Sequence, residues 1–358
     1  MRIGIYSPYL DSFGGGERYV LTVAKVLSEN HQVDLLLDRH QLSLDPQNLK
    51  VQLGKRLSLN LSKVHLVKAP VGEGSNFFKR LFFLRAYDLV FYLTDGSIFY
   101  STAKHSVIHF QVPFKNITAH SLWGRFKLSS WQLAICNSEF TKNLVAAEWP
   151  IKCQTLYPPV DIEAFKPLKK KKYILSVGRF ASFTKSKKHE EMICAFAGLF
   201  KTGKIKDWSL YLAGSIEGDK KYPDELKKLS EGLPIFFYPD LPFKKLVTLY
   251  GESSIYWHAA GFGEDDPAKM EHFGISTVEA MAAGCVPVVI NKGGQVEIVE
   301  NGKSGFLWNS PEELKEITLK LINNPKLMLT LSKNAQTKSK LFSKKHFAEK
   351  IQKMILFL

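Results

Sequence analysis

Residues 2–7 form a short apolar run, the turn Gly14-Gly15-Gly16-Glu17-Arg18 follows it, and Val20, Val23, Ala24 and Leu27 then fall on one helical face before a second apolar run at 33–37. A strand, a glycine turn, an amphipathic helix and a second strand, in that order, call for two parallel strands joined by a right-handed crossover. Further buried-strand candidates at 88–93, 106–109 and 132–136 continue the alternation. The first half therefore reads as a Rossmann-like α/β domain.

The pattern breaks near Tyr157-Pro158-Pro159-Val160-Asp161, and the like-charge run 169–172 should be solvated and extended, which puts the interdomain linker there. A second series of apolar runs then begins, at 173–177, 208–213, 235–238, 255–258 and 286–290, interleaved with helical stretches. The expectation is a Rossmann-like domain over 1–160, another over 161–340, and a final basic, amphipathic helix within 341–358.

With 358 residues, 45% hydrophobic and 23% charged, the chain can bury two ordinary cores. No apolar run approaches the ~20 residues that span a bilayer, and residues 1–6 read as a strand rather than a signal peptide, so a cytoplasmic protein is expected. Cys136, Cys153, Cys194 and Cys285 are scattered without a C-x-x-C pair, which implies neither zinc nor a disulfide framework. The net charge of +15 suits nucleic acid, anionic lipid or phosphorylated small molecules. Nucleic acid is set aside, because no helix-turn-helix, zinc module or RNP-like motif accompanies the lysines.

The segment Glu271-His272-Phe273-Gly274-Ile275-Ser276-Thr277-Val278-Glu279 places two carboxylates across a loop-to-helix junction, where the free amides of 273–277 suit a diphosphate. Ser276-x-x-Glu279 also reads as a capping box, with Ser276 as N-cap and Glu279 reaching back to its amide. Capping leaves unexplained Glu271, the small-residue run 279–284 and the pair Gly293-Gly294. Gly178-Arg179-Phe180 directly follows a strand. The first glycine turn fails as a dinucleotide fingerprint, since Tyr19 stands where glycine or alanine is required.

In this order, with Asn137-Ser138-Glu139-Phe140 and the region from Gly293-Gly294 to Gly305, these elements resemble the retaining GT-B glycosyltransferases of family 4, glycosyl transferases group 1. The resemblance covers nearly the whole chain and implies two Rossmann-like domains with a donor/acceptor cleft between them, the C-terminal helix crossing back onto the first. It implies a hexose moved from a nucleotide-diphosphate sugar, a substrate rather than a cofactor, to an acceptor glycan or lipid-linked sugar. Gly15 and Gly16 would let backbone approach the donor. Arg179 and Lys187, with Lys185 and Lys188 as rivals, would grip the diphosphate. Glu271 would hold the donor sugar, Phe273, Gly274, Ile275 and Ser276 the diphosphate, and Glu279 the ribose, while His109 would face the transferred sugar or the incoming hydroxyl.

The segment 257–274 resembles branches of the family that use GDP-mannose. Glu264-Asp265-Asp266 does not look like a metal site, because the cations already supply counter-charge. Residues 77–85 combine phenylalanines with Lys79, Arg80 and Arg85, as a helix lying on the inner membrane face would, or as one packing its rings into the first core. Two other classes share the architecture. A non-catalytic nucleotide-sugar-binding module would tend to lose the charged residues retained here, and a nucleotide-sugar epimerase would form free or isomerised sugar without an acceptor.

Overall fold

A computed structural model describes the chain apart from residues 11–14, 40, 42–45, 58, 115–118, 184 and 217–220. Gly14 of the first turn and Thr184, three residues before Lys187, lie outside the described residues. The chain divides into two compact units, one of Met1–Pro159 with Phe347–Leu358 and one of Val160–His346.

The first unit holds a seven-stranded parallel sheet built from β1 (Arg2–Tyr6), β2 (Gln32–Leu37), β3 (Val64–Lys68), β4 (Leu89–Leu93), β5 (His105–Phe110), β6 (Leu133–Cys136) and β7 (Cys153–Thr155), in the order β3-β2-β1-β4-β5-β6-β7. The near-continuous apolar strands follow from burial on both faces. Ile5, Leu35, Phe91 and Ile135 enter one core, while Tyr6, Leu36, Tyr92, Cys136 and neighbours enter the other. Helix Gly15–Leu27 and the C-terminal helix Lys344–Leu356 cover the first of these cores. Phe347, Ile351 and Ile355 recur at four-residue spacing into it, and the Phe347 ring meets Tyr19 edge-on at 5.2 Å.

The second unit repeats the plan with β8 (Lys171–Val177), β9 (Ser209–Gly214), β10 (Ile235–Pro239), β11 (Ser253–His258), β12 (Val286–Ile290) and β13 (Phe306–Trp308), ordered β10-β9-β8-β11-β12-β13 and all parallel. In each unit the strand order reverses once, at β1/β4 and at β8/β11. Ligands of doubly wound sheets bind outside the carboxyl ends of the strands at such a reversal.

One expectation is corrected here, and three strands were missed. The run 169–172 is extended and exposed at Lys169, Lys171 and Lys172 as expected, but Lys171 and Lys172 open β8 rather than a linker, and the Lys170 ammonium is drawn inward to donate to the carbonyls of Ser253 and Ala283 at 2.7 Å each. Burial lowers the Lys170 pKa, and the two carbonyls answer the desolvation. Strands β3, β7 and β13 escape sequence reading. The first lies at a sheet edge with one half-exposed face, and the other two, also at edges, are three residues long.

Candidate functional site

In the second unit β8 ends at Val177, and Gly178-Arg179 turns out of the sheet with Arg179 exposed. Lys187 approaches across that turn. A methyl group on Gly178 would lie 2.7 Å from the Lys187 Cγ, so only glycine lets the lysine stem cross the strand end. The ammonium then reaches Glu271 Oε2 at 2.6 Å. Of the three lysines in the segment it is the one paired with Glu271: Lys185 pairs with Glu190 at 3.0 Å and Lys188 with Glu264 at 2.7 Å.

Glu271 is held from three sides. Its carbonyl accepts from the Gly294 amide at 2.7 Å, and a Cβ on Gly294 would fall 2.5 Å from the His272 carbonyl, so the glycine pair acts as a mould for backbone 271–273. His258, the last residue of β11, contacts the same Oε2 through Nε2 at 3.1 Å. Burial pushes the Glu271 carboxyl up, but the Lys187 ammonium and the His258 hydrogen bond outweigh it and hold the group well below the usual carboxylate range. The carboxylate is ionised at neutral pH.

Next to it, helix Ile275–Ala282 starts with Gly274 as N-cap at φ 123°. Ser276 is therefore not the cap, and the capping-box reading is corrected. The Ser276 Oγ instead accepts from Tyr256 Oη at 2.8 Å, and Glu279 Oε2 accepts from Tyr250 Oη at 3.0 Å. Burial raises both phenols, so they remain neutral donors. The amides of Ile275 and Ser276 have no acceptor among the described residues, as expected of a first helical turn. Phe273 packs inward against Phe342, ring centroids 5.5 Å apart, so it contributes backbone and an anchor.

The acids 264–266 each have local employment. Glu264 meets Lys188, Asp265 lies 3.8 Å from Lys292, and Asp266 caps the short turn Pro267–Lys269. No group of three or more His, Cys, Asp or Glu suited to a metal occurs among the described residues.

In the first unit, Gly15 and Gly16 open their helix beside the ends of β4 and β5. A Cβ on Gly15 would meet no described atom, whereas one on Gly16 would press on Leu93 at 3.2 Å. His109 does not face outward as expected. It is fully buried, stacked on Tyr19 at 4.0 Å, its Nδ1 on the Ile135 carbonyl at 2.9 Å and its Nε2 on the Gln111 amide at 3.0 Å. Burial drives this imidazole down to about 3, which fixes it as a neutral tautomer with both nitrogens engaged. Sequence reasoning missed His258, Tyr250, Tyr256 and Gln111. His258 was legible by the strand-end rule that selected His109.

Residues 160–338 match the family of glycosyl transferases group 1. The chain belongs to this family. Over its full length the chain superposes on Anabaena Alr3699/HepE in complex with UDP with a TM-score of 0.73 at 19% identity, covering 100% of both chains. A glycosyltransferase from Rickettsia africae gives 0.74 at 17%, covering 99% of this chain and 97% of that one. These likenesses show the GT-B fold. Among curated proteins, the GDP-Man:Man(3)GlcNAc(2)-PP-Dol alpha-1,2-mannosyltransferase of Xenopus tropicalis is 32% identical over 231 residues, 59% of this chain and 45% of that one. The human protein of the same name is 30% identical over 238 residues, 60% and 46%. The chain thus spans less than half the length of these curated relatives. Among its described residues no helix is long and apolar enough to cross a membrane.

Proposed function

We propose that this glycosyltransferase transfers a hexose, mannose foremost, from a nucleoside diphosphate sugar to an acceptor hydroxyl in glycan or glycolipid synthesis, with retention at the anomeric carbon. The observation that carries the reading is the Lys187–Glu271–His258 cluster set beside the open first turn of helix Ile275–Ala282 at the β8/β11 reversal. Amides at a helix start attract a diphosphate, and an adjacent ionised carboxylate accepts sugar hydroxyls. The lean to GDP-mannose is supported by the mannosyltransferase relatives, whose names give GDP-Man as their donor.

In this reading Arg179 and Lys187 neutralise the diphosphate as the bond from C1 to the phosphate oxygen breaks. The new bond forms from C1 to the acceptor oxygen, and the acceptor proton passes to the departing phosphate oxygen. Glu279, held by Tyr250, takes the ribose. In the first unit, Gly15, Gly16 and the Gln111 amide, which His109 holds in place, are the residues offered for the acceptor.

The test is a panel of nucleoside diphosphate sugars scored by thermal shift and by product analysis. A ligand that binds only the folded state raises the midpoint with its affinity, so GDP-mannose should shift it most, and transfer should persist with chelator present. A product of free or isomerised sugar formed without an acceptor would replace transfer by epimerisation.

Peripheral attachment to an anionic membrane belongs to the same reading. Helix Phe77–Leu84 buries Leu84 while leaving Phe78 and Phe82 at 68% and 72% exposure. Helix Leu122–Leu128 exposes Leu122 and Trp123. Loop residues between them pack on both: Arg80 lies 5.3 Å over Phe99, and Tyr100 stacks on Phe126 at 4.7 Å. Neither helix carries an acid, while Lys79, Arg85, Arg125 and Lys127 flank the rings. Sedimentation with anionic vesicles at low salt is expected, declining as salt shortens the Debye length. Neutralising Lys79 and Arg85 together should weaken it; retention at high salt or on neutral vesicles would remove the electrostatic part of the claim.

A further inference from the structure

His258 lies behind the carboxylate rather than in front of it. The residue is 2% exposed, its Nδ1 is buried with no hydrogen-bond partner among the described residues, and its Nε2 faces Glu271 Oε2. An ionised carboxylate only accepts, so Nε2 must carry the proton. Burial disfavours the charged imidazolium, which leaves Nδ1 as a bare lone pair. Lys187 donates to the same Oε2 at 2.6 Å. Two donors thus converge on one oxygen, while Oε1 has no partner among the described residues. The carboxylate cannot rotate about its last bond without giving up both contacts.

We infer that His258 is a positioning residue: with Lys187 it locks Oε2 of Glu271, so that Oε1 is presented as a single fixed acceptor for one hydroxyl of the donor sugar. The inference rests on the reading that Glu271 holds the sugar. It adds a specificity. One fixed acceptor demands a hydroxyl at one ring position, and a donor lacking that hydroxyl would leave Oε1 unpaired. Among deoxy-substituted donors, one should lose most of its turnover and the others little. Sites that hydrogen-bond a hydroxyl reject the analogue without it far more strongly than apolar pockets reject an extra methylene.

The experiment compares His258→Leu with His258→Gln, whose amide keeps a neutral N–H donor at similar reach, in the full chain. Removing a hydrogen bond to a charged group should lower kcat/KM for the intact donor about 10- to 100-fold in His258→Leu. Affinity for the nucleoside diphosphate without sugar should change less than about threefold, because the diphosphate contacts are elsewhere. His258→Gln should recover most of the loss, and the discrimination among deoxy donors should flatten in His258→Leu only. Full activity in His258→Leu, equal loss in both variants, or equal loss of donor and nucleoside diphosphate binding would overturn the inference. Glu271→Gln separates it from the reading beneath. If that variant keeps wild-type discrimination among deoxy donors, the role of Glu271 fails; if it abolishes discrimination while His258→Leu does not, only the role of His258 fails.

Discussion

Glu271→Gln should reduce turnover by about 10²- to 10³-fold while nucleoside diphosphate affinity stays within about threefold, the magnitude seen when one preorganised electrostatic contact to a developing charge is removed. The substitution keeps size and removes charge. In the wild type the carboxylate is ionised throughout the neutral range, because Lys187 and His258 outweigh its burial. The amide offers one acceptor and loses the ion pair, so the donor sugar is held less firmly where positive charge grows at C1. In the proposed reading diphosphate binding depends on Arg179, Lys187 and the helix start, which the variant leaves in place. The separation of the carboxylates in glycosidases fixes stereochemistry there, but that rule does not transfer, since Glu279 is held by Tyr250 and assigned to the ribose. The measurement pairs steady-state kinetics with the product anomer by NMR. An inverted product or full activity would end the mechanism.

The fold was largely legible because its strands are buried on both faces and so appear as short apolar runs between turns. Residues 2–7, 255–258 and 286–290 match β1, β11 and β12 to within two residues at each end. Edge strands were not legible, because an edge needs apolar residues on few positions and β7, Cys153-Gln154-Thr155, has almost none. Local capping chemistry misled at Ser276, where a tertiary donor, Tyr256, claimed the hydroxyl and glycine took the cap. The same limit applies to His109. Sequence shows a polar residue at a strand end, but whether its ring faces the opening or the core depends on Tyr19, 90 residues earlier, stacking against it.

Lys187→Ala should be the more damaging of the two cation removals. Arg179→Ala takes away a proposed diphosphate contact and should weaken donor affinity by about tenfold or more, as loss of a charge-assisted hydrogen bond does. Lys187→Ala does that and also strips Glu271 of its nearest counter-charge, leaving a carboxylate with 21% side-chain exposure facing only His258. Removing one partner of a largely buried pair costs on the order of 3 kcal/mol, so the variant should also unfold more easily. The sign with pH follows from the direction of the Glu271 shift. A folded-state pKa below the unfolded value near 4.5 stabilises the protein above that value, and the contribution is lost as pH falls through the folded pKa. Without Lys187, burial pushes the carboxyl up, so the variant's deficit in melting temperature should be largest near neutral pH and shrink as pH falls through the variant's raised pKa towards the lowered pKa of the wild type. Lys185→Ala and Lys188→Ala provide the contrast, since their partners are Glu190 and Glu264. Turnover in either that fell as far as in Lys187→Ala would reassign the diphosphate lysine, and a deficit independent of pH in Lys187→Ala would show that the ion pair with Glu271 is not what stabilises the site.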